Sequence, residues 1–288
     1  VADVPGALLG ALEQLRCPVC GQPLALEGRV LRCGLGHAVD VARQGYANLV
    51  VGGRTHPGDT PAMVAARDAF LGAGHYAPIA QSVADALAEG GALPPGPLVD
   101  VGGGTGWYLA QVLERLPPAL GVREGLCLDS SSAALRRAAR VHPRVAALGV
   151  DVWRGLPLAD ACAAAVLSVF APRNPAEVVR VLAPGGRWVV VTPRPEHLQE
   201  LVGPLGMLSV DERKDDRLAA DLADFTRAAS TDLRREVQLD RADVRALVGM
   251  GPSAHHVDAG DLDARLAGLP AVLGVTVAVR VSVYAPPA

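Results

Sequence analysis

From Pro97 onward the chain alternates short apolar runs with amphipathic stretches. The runs LVDVG (98–102), GLCLD (125–129), VAALGVD (145–151), AAAVLSVFAP (163–172) and RWVVVTP (187–193) read as strands, and WYLAQVLERL, SAALRRAARV and PAEVVRVL as helices between them. Apolar strands alternating with helices predict an α/β fold, a parallel sheet covered on both faces. After Glu196 the pattern gives two or three helices and then two further strand-like runs, DLRREVQLD (232–240) and VLGVTVAVRVSVY (272–284). The last run alternates strongly and is expected to close the sheet as an antiparallel edge strand.

The first hundred residues are patterned differently. Residues 5–15 suit a short helix, and Cys17 to about Tyr46 gives only short β pieces, VLRC and AVDV, between glycine turns. Such a segment holds too few apolar residues for a core of its own and needs a staple. Residues 47–59, with three glycines and a proline, read as a linker. Thr60 followed by Pro61 starts a helix over PAMVAARDAFL, as cap and first-turn proline, and a second helix runs from about Pro78 to Glu89 and stops at Gly90-Gly91.

The staple is legible in the cysteines. Cys17-x2-Cys20-x12-Cys33-x3-His37 offers three thiolates and one imidazole, a closed tetrahedral set for zinc with no open position, so the ion would be structural. A redox CxxC would leave Cys33 and His37 without a role. Cys127 and Cys162 lie inside apolar runs, and five cysteines are an odd count, which argues against a secreted disulfide framework. No run of eighteen apolar residues occurs and the start of the chain lacks the zones of a signal peptide, so a soluble cytoplasmic protein without a membrane partner is expected.

Charge adds one detail. The net charge of -3 excludes a generally basic surface, yet between Arg16 and Arg54 five arginines (Arg16, Arg29, Arg32, Arg43, Arg54) face two carboxylates (Glu27, Asp40), an excess of three positive charges. Any nucleic-acid contact is therefore expected there.

The chemistry-bearing loop is LVDVGGGTGWYLA (98–110). Gly102, Gly104 and Gly106 follow a strand and precede a helix, where backbone must approach a ligand and the helix start offers amide donors; Thr105 and Trp107 belong to the same turn. Asp129 ends the next strand, where a carboxylate can accept the two ribose hydroxyls of a nucleoside, and Asp151 with Val152 ends the third, beside the place for an adenine edge. The ligand is either a nicotinamide dinucleotide or S-adenosylmethionine. The G-x-G-x-G spacing and Asp100, which suits an ammonium or sulfonium, favour the second, and the LAPGGRWVVVTP stretch (182–193) has the form found in seven-stranded S-adenosylmethionine methyltransferases.

Together with VARQGYANLV (41–50), PGDTPAMVAARDAFLGAGHYAPI (57–79), VFAPRNPAE (169–177), TPRPEHLQEL (192–201) and MGPS (250–253), these motifs give the chain a resemblance to the bacterial 23S ribosomal RNA (guanine-N1)-methyltransferases, over almost its whole length and closest to the tylosin-type macrolide resistance branch of actinobacteria. The resemblance implies a zinc-binding RNA-recognition module (1–50), linker and helices (51–95), and a Rossmann-like seven-stranded methyltransferase domain (96–288). It also implies a homodimer acting on 23S rRNA or a large-subunit precursor, with the target guanine in a hairpin loop near the peptide exit tunnel. It adds Tyr76 and His197 as cofactor contacts, against the alternatives of a packed tyrosine and a helix-start histidine. Resistance-type relatives carry tryptophan after MGPS, where this chain has Ala254, His255 and His256.

Methylation of guanine N1 requires alignment with the methyl donor and an acceptor for the N1 proton. On the loop VFAPRNP, Phe170 is the candidate to stack on the base, and Ala171, Pro172 and Asn174 offer backbone or amide acceptors; Glu177 suits helix capping better. Arg173 and Arg194 are phosphate-contact candidates or solvated arginines, Arg136, Arg137, Arg140 and Arg144 a solvated face, and Trp153 an aromatic near the expected pocket that core packing also explains. A small-molecule methyltransferase retaining a structural zinc module, or an RNA-binding protein that holds the cofactor without turnover, are the competing readings.

Overall fold

The computed structural model describes residues 4–52, 58–211, 214–251 and 259–287. The chain opens with helix α1 (Gly6–Gly10), followed by β1 (Leu24–Glu27), β2 (Val30–Cys33), β3 (Ala38–Asp40) and β4 (Ala47–Asn48). Helices α2 (Pro61–Gly72) and α3 (Ala77–Glu89) come next. The alternating part consists of β5 (Leu98–Val101), α4 (Trp107–Arg115), β6 (Gly125–Asp129), α5 (Ser132–Val141), β7 (Val145–Gly149), β8 (Ala163–Val169), α6 (Pro175–Val181) and β9 (Leu182–Pro193). The chain ends with α7 (Gln199–Leu205), α8 (Lys214–Asp221), β10 (Thr226–Asp240), α9 (Arg241–Met250), α10 (Ala259–Ala267) and β11 (Val272–Ala285).

The helix starts follow local chemistry. Thr60 accepts the Met63 amide at 3.3 Å, Ser131 accepts that of Ala134 at 3.3 Å, and Asp240 and Asp243 form a reciprocal capping box.

One three-stranded sheet, β1-β2-β3, forms the N-terminal ribbon, and one eight-stranded sheet runs in the order β10-β11-β9-β8-β5-β6-β7-β4. β4 to β9 pair in parallel within it, while β11 is antiparallel to both β9 and β10. Without β4 this is a doubly wound, seven-stranded, Rossmann-like sheet, as expected.

Two features differ from the expectation. β11 is not the edge: it lies between β9 and β10, and its nearly continuous burial is that of an interior strand. The edge falls to β10, whose run TRAASTDLRREVQLD is almost wholly exposed and carries six charged side chains among its fifteen residues, a composition that keeps an edge from pairing with other chains. The second difference is β4, inside the stretch read as a linker. Ala47 and Asn48 pair with Leu148 and Gly149 of β7, and a Cβ on Gly149 would strike Asn48, so the eighth strand needs that glycine.

Alternation along the strands divides the core. Leu98, Cys127 and Val189 face a layer containing residues of α2, α3, α4, α7 and α9, whereas Val99, Val101, Leu126, Leu128 and Trp188 face Leu15, Leu24, Leu31 and Val41 of the ribbon together with α6 and α8. The ribbon thus shares a hydrophobic cluster with the sheet. It is also tied to it by Arg16 N–H to Pro157 O (2.8 Å) and Ala159 N–H to Gln14 O (2.7 Å). Among the described residues no helix is long and apolar enough to cross a membrane.

Candidate cofactor cavity and metal centre

Two tight turns assemble the metal ligands. In the first, Gly21 N–H donates to Cys17 O (2.8 Å); in the second, Gly36 N–H donates to Cys33 O (2.9 Å), and both glycines have the positive φ that such turns need (+72° and +85°). The ligand atoms of Cys17, Cys20, Cys33 and His37 lie within 4.8 Å of one another. Cys20 Sγ is 3.7 Å from Cys33 Sγ, and His37 Nδ1 is 3.6 Å from Cys17 Sγ and 3.4 Å from Cys33 Sγ. A tetrahedral zinc with ordinary bond lengths requires about 3.8 Å between sulfurs and about 3.6 Å between sulfur and nitrogen. The four residues therefore fit the ion. Desolvation pushes the Cys33 thiol up, but the amides of Leu35 and His37 and the His37 ring outweigh it and bring the group down to about 6, a thiolate at neutral pH.

The arginines around this centre divide. Arg29 turns inward and donates to Val41 O (3.3 Å) and Ala42 O (2.6 Å), which makes it a brace for the ribbon and corrects its expected place in an RNA-facing patch. Arg32 pairs with Glu27 at 2.9 Å on the surface, and Arg43 is exposed. Arg54 lies outside the described residues, as do His255 and His256.

In the loop between β5 and α4, Gly102, Gly104 and Gly106 all have positive φ (+71°, +57°, +74°), so the loop folds as its glycines demand. A Cβ on Gly103 would come within 2.8 Å of an Asp100 oxygen and of Cys127 Sγ, which makes it a fourth required glycine although its φ is ordinary. Asp129 Oδ2 accepts the Gly104 amide (2.9 Å) and Oδ1 accepts that of Ser131 (2.8 Å), which fixes the carboxylate beneath the loop and leaves each oxygen further acceptor capacity. Burial raises the Asp129 pKa above the usual carboxylate range, against these two amide bonds.

Asp100 is 1% exposed and neither of its oxygens has a hydrogen-bond partner. Burial, with the neighbouring Asp129 charge, raises its pKa to about 7. An unpartnered buried carboxylate is costly in itself and is the mark of a place made for a cationic group.

Asp100, Gly102, Gly103, Thr105 and Trp107 line a cavity of about 540 Å³, roofed by Tyr76, Tyr108, Phe170 and His197. The Phe170 ring lies 5.8 Å from His197 in a stacked pose and 6.2 and 6.4 Å from Tyr76 and Tyr108. Phe170 holds a left-handed backbone (φ +54°), a strained state for a bulky residue, and its side chain is 40% exposed at the cavity. Ala278 N–H donates to His197 Nδ1 (3.1 Å), which puts the ring proton on Nε2, directed to Tyr76 Oη at 3.3 Å. The Tyr76 hydroxyl hydrogen is then available to a ligand, and burial holds that phenol neutral by raising its pKa.

Other expected site residues are not gathered here. Asn174 Oδ1 accepts the Glu177 amide (3.4 Å) and its Nδ2 donates to Val152 O (2.9 Å), so it caps α6 and lies outside the cavity lining, away from the place expected for a proton acceptor. Arg173 is half-buried near Asp221 and Tyr284, and Arg194 lies near Asp232, against β10. Neither is the freely solvated arginine of the alternative reading. Trp153 is 55% exposed, which corrects the core-packing explanation for it.

Asp151 accepts the Trp153 amide (3.1 Å), pairs with Arg154 (3.6 Å) and lines a second, larger cavity of about 830 Å³ between the ribbon and α6. There Arg180 bonds Glu177 (2.7 Å), Asp160 (2.7 Å) and the carbonyls of Leu156 and Leu158, and Glu177 accepts the Leu156 amide. Val152, buried between Asp151 and Trp153, lines neither cavity.

Two residues absent from the sequence reading stand at the smaller cavity. Arg67 of α2 pairs with Asp59 (2.8 Å), donates to Met250 O (2.9 Å) and lies against Gly104. Tyr108 presents a buried hydroxyl without a partner.

Comparison with known proteins agrees with this construction. The family model described as RlmA, N-terminal, a zinc ribbon, matches residues 15–51. The YcgJ protein of Bacillus subtilis, a solved structure, is 16% identical, covering 72% of this chain and 99% of its own, with a TM-score of 0.47. A Micromonospora griseorubida protein named as a 23S rRNA (guanine-N1)-methyltransferase is 50% identical over 96% of this chain and 98% of its own. A Streptomyces fradiae protein named 23S rRNA (guanine(748)-N1)-methyltransferase is 48% identical with the same coverage. At that identity over nearly the whole length of both chains, this protein belongs to the family of S-adenosylmethionine-dependent 23S rRNA (guanine-N1)-methyltransferases.

Proposed function

We propose that this enzyme transfers a methyl group from S-adenosylmethionine to N1 of one guanine in a 23S rRNA hairpin loop, at the position named for the Streptomyces fradiae relative, with S-adenosylhomocysteine as the leaving group and the N1 proton released to solvent. The observation that carries the cofactor half is the pairing of Asp129, held under the glycine loop, with Asp100, buried and unpartnered at the cavity wall. Asp129 accepts the ribose hydroxyls and Asp100 takes the ammonium of the amino-acid end, while Tyr76 and His197 close the cavity over it. The bound cofactor supplies an electrophilic methyl on a sulfonium. Phe170 is the platform on which the flipped guanine stacks, its strained backbone presenting the ring at the cavity mouth.

A hairpin-loop base is already partly unstacked, so presenting it costs little. Zinc holds the ribbon, and Arg43 with Arg32 contacts phosphates of the flanking RNA, giving an affinity that falls with salt. A homodimer would give the RNA a wider cleft. A methyl group at that guanine, near the peptide exit tunnel, would lower macrolide susceptibility.

The test is nucleoside mass spectrometry of unmodified large-subunit rRNA incubated with the enzyme and S-adenosylmethionine. New 1-methylguanosine, lost with Asp129→Ala, is expected; cofactor binding without methylation of free RNA or intact subunits would remove the ribosomal assignment.

A further inference from the structure

The cavity beneath the glycine loop holds more unsatisfied polarity than the reading above uses. Asp100 accounts for one charge, but Tyr108 Oη is also buried without a hydrogen-bond partner, on the same lining. A hydroxyl left so costs the folded protein free energy that a phenylalanine would not. Two described arginines, Arg67 and Arg217, line this cavity; Arg217 is paired with Asp211 (2.6 Å), and Arg67 is the one at the glycine loop, where a Cβ placed on Gly104 would come within 2.9 Å of its Nη1. Asp59 and the Met250 carbonyl engage two of the five donors of that guanidinium and fix its plane. The same wall therefore carries a carboxylate with no cation, a hydroxyl with no acceptor and an oriented guanidinium.

An α-amino acid has the matching pattern, an ammonium and a carboxylate on one carbon. We infer that Arg67 and Tyr108 form the binding site for the α-carboxylate of the cofactor, beside Asp100, which takes its α-ammonium. Tyr108 donates its hydroxyl hydrogen to one carboxylate oxygen, and Arg67 supplies charge and N–H donors to the other. The Tyr76 hydroxyl, freed as a donor by the tautomer of His197, adds to the same side. Asp59 is a positioning residue, acting only through Arg67. The inference rests on S-adenosylmethionine being the cofactor and assigns the residues that read its amino-acid end.

The experiment compares three ligands by calorimetry on the full-length, zinc-loaded protein: S-adenosylhomocysteine, its decarboxylated analogue, and 5′-methylthioadenosine, which lacks the amino-acid end. Wild-type protein should bind S-adenosylhomocysteine at least tenfold more tightly than the decarboxylated analogue. Tyr108→Phe should weaken S-adenosylhomocysteine about tenfold and Arg67→Met between about tenfold and a hundredfold, while both change the decarboxylated analogue and 5′-methylthioadenosine less than about threefold. Tyr108→Phe should also leave the melting temperature of the ligand-free protein unchanged or raised, which separates it from a folding defect. If Tyr108→Phe leaves S-adenosylhomocysteine unaffected, or weakens all three ligands equally, the carboxylate site is overturned. If wild-type protein binds none of the three, the cofactor reading itself fails.

Discussion

The two cavities of this molecule differ in what their polar groups do. In the larger, about 830 Å³, Arg180 is spent on Glu177, Asp160 and two carbonyls, Arg154 on Asp151 and the carbonyls of Val51 and Gly52, and Arg16 on its own helix end. Among the described residues, no buried polar side-chain atom of that lining lacks a partner. In the smaller, about 540 Å³, Asp100 and Tyr108 lack partners altogether. Size and charge count favour the first cavity, yet the first is a joint between ribbon and sheet. Unspent hydrogen-bonding capacity distinguishes the second, because only a ligand can repay its burial.

The comparison can be broken from either side, and the largest effect belongs to the joint. Chelating the zinc, or replacing Cys33 by Ser, should remove the staple of a ribbon whose Leu15, Leu24 and Leu31 share a core with the sheet. We expect a loss of about 5 kcal/mol or more, read as a collapse of the thermal transition with loss of bound zinc. A zinc-free protein that melts as before would show that the ribbon does not depend on the ion.

Next in size is Asp100. Its folded pKa of about 7 stands above the ordinary 3.8, so between those values the ligand-free folded state holds a proton that the unfolded chain releases. Stability from this group therefore falls as pH rises from about 4 to about 7, and Asp100→Asn should stabilise the ligand-free protein at pH 8 by about 2 to 4 kcal/mol while having little effect at pH 4. Cofactor binding requires the ionised form, so affinity should fall as pH drops below about 7, with proton release on binding in calorimetry. A flat profile would remove Asp100 from the ammonium site.

Asp129→Ala should weaken S-adenosylhomocysteine about a hundredfold, roughly 2.7 kcal/mol, because two charge-assisted bonds to ribose are lost. The smallest effect is the control on the other cavity. Arg180→Met should cost about 1 to 2 kcal/mol of stability, since its partners lose their bonds, and leave cofactor affinity within twofold. A large loss of affinity there would erase the distinction between the two cavities.

How far the sequence carries depends on the range of the interaction. The ligand spacing of the cysteines, the Thr60 cap and the glycine loop before α4 are local patterns, and each folds as written. The cap at Asn174 is local too: Asn-Pro-x-Glu is a helix-start signal, and weighing it first would have removed Asn174 from the acceptor role. Arg29 looked like an exposed charge because nothing in its neighbours marks the carbonyls of Val41 and Ala42 as its destination. Arg67 reaches Asp59 eight residues back and Met250 one hundred and eighty-three residues ahead, a juxtaposition that periodicity does not encode. The interior place of β11 was readable in principle, since the exposed and charged β10 is the better edge.

The most direct test of the account is primer extension on 23S rRNA treated with the enzyme and S-adenosylmethionine, because a methyl on N1 blocks the Watson–Crick edge and halts reverse transcriptase. One new stop is expected at a single hairpin-loop guanine, present with wild-type protein and Arg180→Met and absent with Asp129→Ala. No stop on free RNA or on large subunits, from protein that binds S-adenosylhomocysteine normally, would contradict it.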